Sequence, residues 1–147
     1  MLGVKPYKVN SELVCAALRN RLYWTNIPNF KMPADRGILL QSILTSGYTD
    51  RKKARALLVS DSRPLTSKDK MIKRYEKFGT LIWEERGNNN SVRYLNQTEL
   101  ERCQTIPEGY TKSLTRNQAA DVLGDGWTIE IIKEFFKNLP EKFKSQE

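Results

Sequence analysis

The pattern of apolar and polar positions predicts short strands in the first part of the chain. The stretches YKVNSELV (7–14) and RLYWTNI (21–27) are rich in β-branched and aromatic residues, and only a few residues separate them. We expect two strands joined through a loop, with Arg19 and Arg21 at their junction. A further stretch of this kind, ARALLVS (54–60), predicts another strand.

A second pair of strand-like stretches predicts a β-hairpin. TLIWEER (80–86) and SVRYL (91–95) flank the run Gly-Asn-Asn-Asn (87–90), whose residues tolerate a positive φ. A run of this composition between two apolar stretches is typical of a tight turn.

Apolar residues three and four positions apart predict four helices, two of them in the middle of the chain. A short helix is expected in DRGILLQSILTSG (35–47), with Asp35 as its cap and Gly47 at its end. A basic helix is expected in SKDKMIKRYEKFG (67–79). Its apolar face consists of Met71, Ile72, Tyr75 and Phe78.

The other two predicted helices lie nearer the C-terminus. Asn96 with Glu99 three residues later forms a helix-start signal for QTELERCQT (97–105). The last helix follows GDGW (124–127), and its apolar stripe must pack against another surface. That stripe comprises Ile129, Ile132, Phe135, Phe136 and Leu139. These elements together predict a mixed α/β fold with short strands and three to five helices.

Composition and charge suggest a folded domain with a polyanionic partner. The 147 residues can bury a core of their own, and 39% apolar with 29% charged residues is globular rather than disordered. Twenty-five Lys and Arg exceed seventeen Asp and Glu, which leaves a net charge of +8. This surplus favours a polyanionic partner such as nucleic acid or an anionic membrane, and the alternative is a merely soluble basic protein.

The charge is concentrated in the middle of the chain, where a net +6 lies between Arg51 and Arg86 from eleven cations and five anions. We expect this region to be the binding face, with flanking sequences as scaffold. The predicted DNA-contacting residues are Lys53, Arg55, Arg63, Lys70, Lys73, Arg74 and Lys77.

Several classes of chemistry are disfavoured by the residues present. The sequence contains no histidine, which removes the usual general base and the commonest metal ligand. Cys15 and Cys103 lie 88 positions apart without a C-x-x-C pair, so we expect neither a disulfide framework nor a metal site, and burial of both thiols. No apolar run approaches the length of a membrane span or signal peptide, so a cytoplasmic location without membrane contact is expected.

Three stretches, in this order, resemble the C-terminal blocks of the DNA cytosine-5 methyltransferases, in the style of phage enzymes and the eukaryotic de novo enzymes. They are NSELVCAALRNRLYWTNIP (10–28), VRYLNQTELERCQTIPEGYT (92–111) and NQAADVLGDGWTIEIIKEFF (117–136). The first resembles the family's Q-x-R-x-R block, although Ala17 stands where glutamine is usual. The second resembles R-x-L-(T/N)-x-x-E-x-x-R, and the third resembles the closing G-(N/D/R)-(S/G)-W block. Together they cover about half of the chain.

The resemblance implies roles for the residues of these blocks. Arg21 would reach the target cytosine after it has flipped out of the duplex, and flipping is required because the reactive carbon is buried in the base stack. The competing interpretation is that Arg19 and Arg21 are two solvated arginines at a strand entrance. Arg19 would support the neighbouring loop or a phosphate. Arg93 and Glu99 would organise the recognition region as structural supports. The segment Gly124, Asp125, Gly126 and Trp127 would close one side of an S-adenosylmethionine pocket, and the competing interpretations are a simple turn and a core tryptophan.

The resemblance also divides the chain. Residues 1–31 would be a strand-loop-strand of the methyltransferase core, 32–90 the basic target-recognition region, 91–139 the closing blocks with the last helix, and 140–147 a charged tail. The family's glycine-rich cofactor loop, Pro-Cys nucleophile loop and Glu-Asn-Val block do not occur in these 147 residues.

Two functions are therefore expected. The first is the DNA-recognition part of a cytosine-5 methyltransferase, inactive alone, which needs an N-terminal methyltransferase half and binds S-adenosylmethionine only in the completed enzyme. The second is a non-catalytic DNA-binding or regulatory protein with a methyltransferase-like lobe, such as a phage counter-defence protein. Either would act in a bacterial or phage-infected cytoplasm.

Overall fold

The computed structural model describes residues 3–56 and 65–143. Within these ranges it contains helices and two antiparallel sheets of two strands each, which confirms the mixed α/β prediction. In chain order the elements are β1 (Tyr7–Asn10), β2 (Asn20–Tyr23), α1 (Leu40–Ile43), α2 (Lys68–Lys77), β3 (Ile82–Trp83), β4 (Val92–Arg93), α3 (Gln97–Cys103), α4 (Arg116–Asp125) and α5 (Ile129–Phe136).

The first sheet is a ribbon in which Tyr7 lies opposite Tyr23 and Val9 lies opposite Arg21. β1 ends at Asn10, whose side chain accepts from the Glu12 amide and so caps a short 3₁₀ turn. The expected strand over 7–14 is therefore half as long as predicted, because an asparagine side chain competes with the strand for the backbone amide.

Helix α5 packs on this ribbon through part of the predicted stripe together with one residue outside it. Ile131, which the stripe omitted, is fully buried, and Phe135 is only 4% exposed. Phe135 stacks on Phe30 with ring centroids 4.0 Å apart and lies 5.2 Å from the Tyr23 ring. Phe136, by contrast, is 57% exposed. The predicted stripe is therefore confirmed at Phe135 and at the partly buried Ile132, whereas the contact face turns towards Ile131, four residues before Phe135, and leaves Phe136 exposed.

A central core joins α3 and α4 to the loops around α1. Its buried members are Cys15, Ala17, Leu40, Ala54, Ile82, Leu95, Leu100, Cys103, Ala119, Ala120 and Leu123. Both thiols are buried, as predicted. Burial raises the pKa of Cys15 and of Cys103, so neither thiol is activated as a nucleophile.

Of two predicted helix starts, one differs from the structure and the other is confirmed. α1 begins at Leu40 rather than near Asp35, whose carboxylate instead accepts from the Gly37 amide at 2.8 Å and closes a turn. α3 begins as predicted, because Asn96 and Glu99 form a reciprocal capping box.

Helix α4 was not predicted as a separate element. Thr115 and Gln118 form a capping box at its start, a local signal that the sequence carries. Its apolar residues Ala119, Ala120 and Leu123 are small or widely spaced, so the periodicity of the segment is weak.

Another cluster of buried residues lies between α2 and the hairpin. Met71, Tyr75, Leu81 and Val92 are buried there. A hairpin forms at the predicted place, with Ile82 opposite Arg93 and Trp83 opposite Val92. Its strands are shorter than the predicted 80–86 and 91–95, and the connection spans 84–91, which is longer than a tight turn at 87–90. Of the strand predicted over 54–60, Ala54 makes an isolated bridge to Ala17, and residues 57–60 lie outside the described ranges.

Candidate nucleic-acid interface

Helix α2 is amphipathic, and its outer face is basic. Met71 and Tyr75 turn towards the hairpin and are buried. The predicted contact residues on this helix are Lys70, Lys73, Arg74 and Lys77, of which the three lysines are exposed. Because they follow each other at three- and four-residue steps, they line one side of the helix away from the core. This side can accept the phosphates of a nucleic acid.

The basic side of α2 leads into two adjoining clefts that share Leu18 and Arg55. The first, of about 380 Å³, is lined in addition by Asn10, Arg19, Asn20, Ala56, Phe78 and Gly79. The second, of about 540 Å³, is lined in addition by Glu12, Asp35, Gly37, Leu39, Arg51, Lys52 and Lys53. We call these two clefts the basic groove. Since Phe78 directly follows α2, the helix ends at the groove.

The predicted cations are not equivalent in this arrangement. The Lys53 ammonium donates to the carbonyl oxygens of Glu12 at 2.6 Å and Cys15 at 2.9 Å, so it ties the loop after β1 to the segment before α2. Arg55 lies where the two clefts meet, and its buried Nε has no hydrogen-bond partner within the described residues. Arg63 lies outside the described residues.

Arg51 is a groove residue that the sequence argument did not select. Its guanidinium lies 4.1 Å from the Tyr75 ring centroid and donates to the Tyr75 carbonyl at 2.7 Å. Burial, followed by the nearby Arg55, lowers its pKa. Aromatic stacking holds the guanidinium in place beside the groove, a contact between residues 24 positions apart that no local pattern indicates.

The two arginines of the first block face different surroundings. Arg19 is 3% exposed and donates from one terminal nitrogen to the carbonyls of Gly124 at 2.6 Å and Gly126 at 2.5 Å. Burial, followed by the neighbouring Arg21, lowers its pKa. Arg21 itself is exposed on β2, and its side chain makes no hydrogen bond to the described residues. Arg19 therefore holds the end of α4, whereas Arg21 faces solvent.

The segment 124–127 forms the end of α4 and the entry to α5. The Gly126 amide donates to the Val122 carbonyl at 2.9 Å, and a Cβ at Gly126 would lie 3.1 Å from that same oxygen. Trp127 is 61% exposed, so it is not the core tryptophan of the competing interpretation. Its indole is available to a ligand or partner.

Arg93 and Glu99 form a buried pair that joins three parts of the chain. The Arg93 guanidinium donates to both Glu99 carboxylate oxygens, at 2.7 and 2.9 Å, and to the Ser46 carbonyl at 2.8 Å. Glu99 also accepts from the Thr45 amide and hydroxyl, both at 2.9 Å. Burial alone would raise the pKa of Glu99, but the hydrogen bonds from Arg93 and Thr45 outweigh it and lower that pKa. The pair fixes the loop after α1 against the start of α3.

Glu101 organises a second loop in the same manner. Its buried carboxylate accepts from the amides of Gly109 and Thr111, both at 2.7 Å, and from the Thr111 hydroxyl at 2.5 Å. Burial opposes ionisation, yet these hydrogen bonds prevail and lower the pKa of Glu101. The sequence argument did not assign this residue a role.

Two searches of the described residues bear on other kinds of site. Within 3–56 and 65–143, no cluster of three His, Cys, Asp or Glu side chains is placed to hold a metal ion. In the same ranges, no helix has both the length and the apolar character needed to cross a membrane. A comparison of the chain with known protein families found no family model that matches it.

Proposed function

We propose that the chain is the DNA-recognition and cofactor-pocket-closing part of a DNA cytosine-5 methyltransferase. In this proposal it has no activity alone and works with an N-terminal half that supplies the Pro-Cys nucleophile, the glycine-rich loop and the carboxylate. Double-stranded DNA would lie on α2 and the basic groove, and S-adenosylmethionine would bind only in the completed enzyme.

The contact between Arg19 and the end of α4 carries the proposal. Arg19 belongs to the first methyltransferase-like block, whereas Gly124 and Gly126 belong to the third. These residues are 105 and 107 positions apart, and the guanidinium donates to both carbonyls. Two blocks that resemble one family separately thus meet in space, which supports a shared origin more strongly than their order in the sequence does.

The second block is joined to the proposed recognition region in a similar way. The pair of Arg93 and Glu99 bonds to Thr45 and Ser46, which lie within 32–90. A recognition region must keep a fixed orientation to read DNA, since base contacts depend on the placement of its loops. The buried pair supports this role for the block.

Arg21 and Trp127 remain available for the completed site. Arg21 is exposed and unbonded within the described residues, and its fork of donors suits a base carbonyl together with a carboxylate. Trp127 projects from the turn that Arg19 holds, where an indole could form one wall of the cofactor pocket.

One observation favours the second function, a non-catalytic DNA-binding or regulatory protein. Phe135 and Ile131 of α5 are already buried against the ribbon of the same chain, so this face of the helix needs no partner to cover it. The exposure of Trp24 and Phe136 favours the first function, because large apolar side chains at a surface are typical of an interface with a partner.

Co-expression with the N-terminal half of a related methyltransferase distinguishes the two functions. The first requires a stable complex that transfers tritium from labelled S-adenosylmethionine to cytosine in DNA. If co-expression yields no complex and no methylated DNA, while the lone chain still binds DNA, the first function is refuted and the regulatory function takes its place.

A further inference from the structure

A third cleft, distinct from the basic groove, lies between the loop after α1 and the turn of the hairpin. Its volume of about 450 Å³ lies within the usual range of small-molecule sites. It is lined by Tyr48, Thr49, Asp50, Trp83, Arg86, Gly87 and Asn89. None of these residues has a role in the function proposed above.

The two aromatic side chains of the cleft are held by the backbone. The Tyr48 amide donates to the Trp83 carbonyl at 2.8 Å, and the Trp83 amide donates back to the Tyr48 carbonyl at 2.9 Å. Trp83 also packs edge-on against Tyr75, with ring centroids 5.2 Å apart. Tyr48 remains 44% exposed. The cleft therefore offers fixed aromatic surfaces to a planar ligand.

The polar side chains supply both acceptors and donors. The Asp50 carboxylate is exposed and accepts from the Tyr75 hydroxyl, which limits its freedom. The Asn89 side-chain oxygen accepts from the Trp83 indole at 3.2 Å, which leaves its amide hydrogens available. Arg86 lies 4.8 Å from the Tyr48 ring centroid and makes no hydrogen bond or ion pair within the described residues.

We propose that this cleft binds an unpaired guanine nucleobase, with the attached phosphate on Arg86. A carboxylate only accepts hydrogen bonds, and guanine is the DNA base that presents two adjacent donors, N1–H and the N2 amino group. Asp50 would accept from these donors, Asn89 would donate to O6, and the base would stack on the aromatic side chains, as in single-strand recognition.

The position of the cleft connects it to the basic groove. Asp50 lines the cleft and its neighbour Arg51 lines the groove, while Tyr75 of α2 contacts both residues. A strand whose phosphates lie in the groove can thus place an unstacked base in the cleft. The inference rests on the nucleic-acid-binding part of the proposed function and does not depend on methyl transfer.

Isothermal titration of the full chain with the four deoxynucleoside monophosphates tests the inference. Deoxyguanosine monophosphate should bind about tenfold more tightly than the other three, since a site that hydrogen-bonds a base rejects one lacking the donors. Tyr48→Ala should weaken this binding about 5- to 100-fold through lost stacking. Asp50→Asn should remove the preference for guanine, whereas Tyr110→Ala, at an exposed tyrosine outside the cleft, should change nothing.

Two results would overturn the inference. One is an absence of guanine nucleotide binding up to about 10 mM, and the other is equal binding of all four nucleotides. If Tyr48→Ala does not fold, Arg86→Ala serves instead, because Arg86 is exposed and its loss should weaken the monophosphate more than the nucleoside. Selective guanine binding without duplex binding would support the guanine site and refute the duplex-DNA proposal. Duplex binding without selective guanine binding would refute the guanine site and leave the duplex-DNA proposal standing.

Discussion

Replacing Lys73 and Lys77 by glutamine is expected to weaken duplex DNA binding and to flatten its salt dependence. Both side chains are exposed on the outer side of α2 and make no bond within the described residues, so their removal leaves the fold intact. Lys53 is engaged by carbonyl oxygens and Arg63 lies outside the described residues, so five of the predicted contact residues remain for phosphate contact: Lys70, Lys73, Arg74, Lys77 and Arg55.

The magnitude follows from the number of contacts. Five phosphate contacts, at about 0.9 each, give a slope of log K against log salt of about −4.5. Removing two leaves about −2.7. At about 0.1 M salt, each phosphate contact raises the binding constant by about 0.9 of a decade relative to its value at about 1 M salt. The double variant lacks two contacts, so it should bind DNA about 60-fold more weakly than the unchanged protein at about 0.1 M salt.

Fluorescence anisotropy with a labelled duplex of about 20 base pairs, at salt concentrations between about 50 and 300 mM, measures both quantities. The matched control is the double variant Lys31→Gln and Lys112→Gln, which removes the same charge from exposed positions outside α2 and the groove. An unchanged slope in the α2 variant, or an equal loss in the control, would refute the assignment of α2 as the phosphate-binding surface.

Further outcomes follow from the same structure. The purified chain should give no tritium transfer above background, and turnover by the chain alone would contradict the proposed need for a second half. In a reconstituted enzyme, Arg21→Ala should reduce methylation more than it reduces DNA binding, and equal losses of methylation and DNA binding would refute the role proposed for Arg21. Trp127→Ala should instead raise the KM for S-adenosylmethionine. The depressed pKa values of Glu99 and Glu101 stabilise the fold above the unfolded carboxyl pKa of about 4.3, and this stability is lost as the pH falls through the folded values. The melting temperature should therefore drop below about pH 4, and Glu99→Gln should reduce that dependence; a flat profile from pH 3 to 7 would contradict the linkage.

Local signals predicted those elements that depend on nearby residues. The start of α3 followed from Asn96 and Glu99, three positions apart, because a capping box closes within one helical turn. The hairpin followed in the same way from the turn at 87–90 between two apolar stretches. Both require contacts only between residues close in sequence.

Contacts between distant residues could not be predicted in this way. Lys53 was assigned to DNA from its charge, yet its carbonyl partners Glu12 and Cys15 lie 41 and 38 positions away. Since a charged side chain has the same sequence signature whether it binds phosphate or caps buried carbonyls, only the fold separates the two uses. Lys53→Gln should accordingly lower the melting temperature while leaving the salt slope of DNA binding unchanged.

Burial of Phe135 bears directly on the choice between the two proposed functions. An apolar helix face that awaited a partner would expose all its large side chains, whereas α5 already covers Ile131 and Phe135 with the ribbon and leaves Phe136 to solvent. In the proposed assembly, the apolar contribution of α5 and the adjoining ribbon would therefore come from exposed side chains such as Phe136, Trp24 and Leu22, each about half exposed, rather than from the whole helix. Since each is already about half buried, its full burial would contribute only about half of the usual 1.5 to 3 kcal/mol before the cost of association. The three together therefore reach at most the lower end of that cost, which is about 4 kcal/mol or more. In the proposed assembly a second half must then add polar contacts of its own, and Arg21, whose side chain is exposed on β2, is available for one of them.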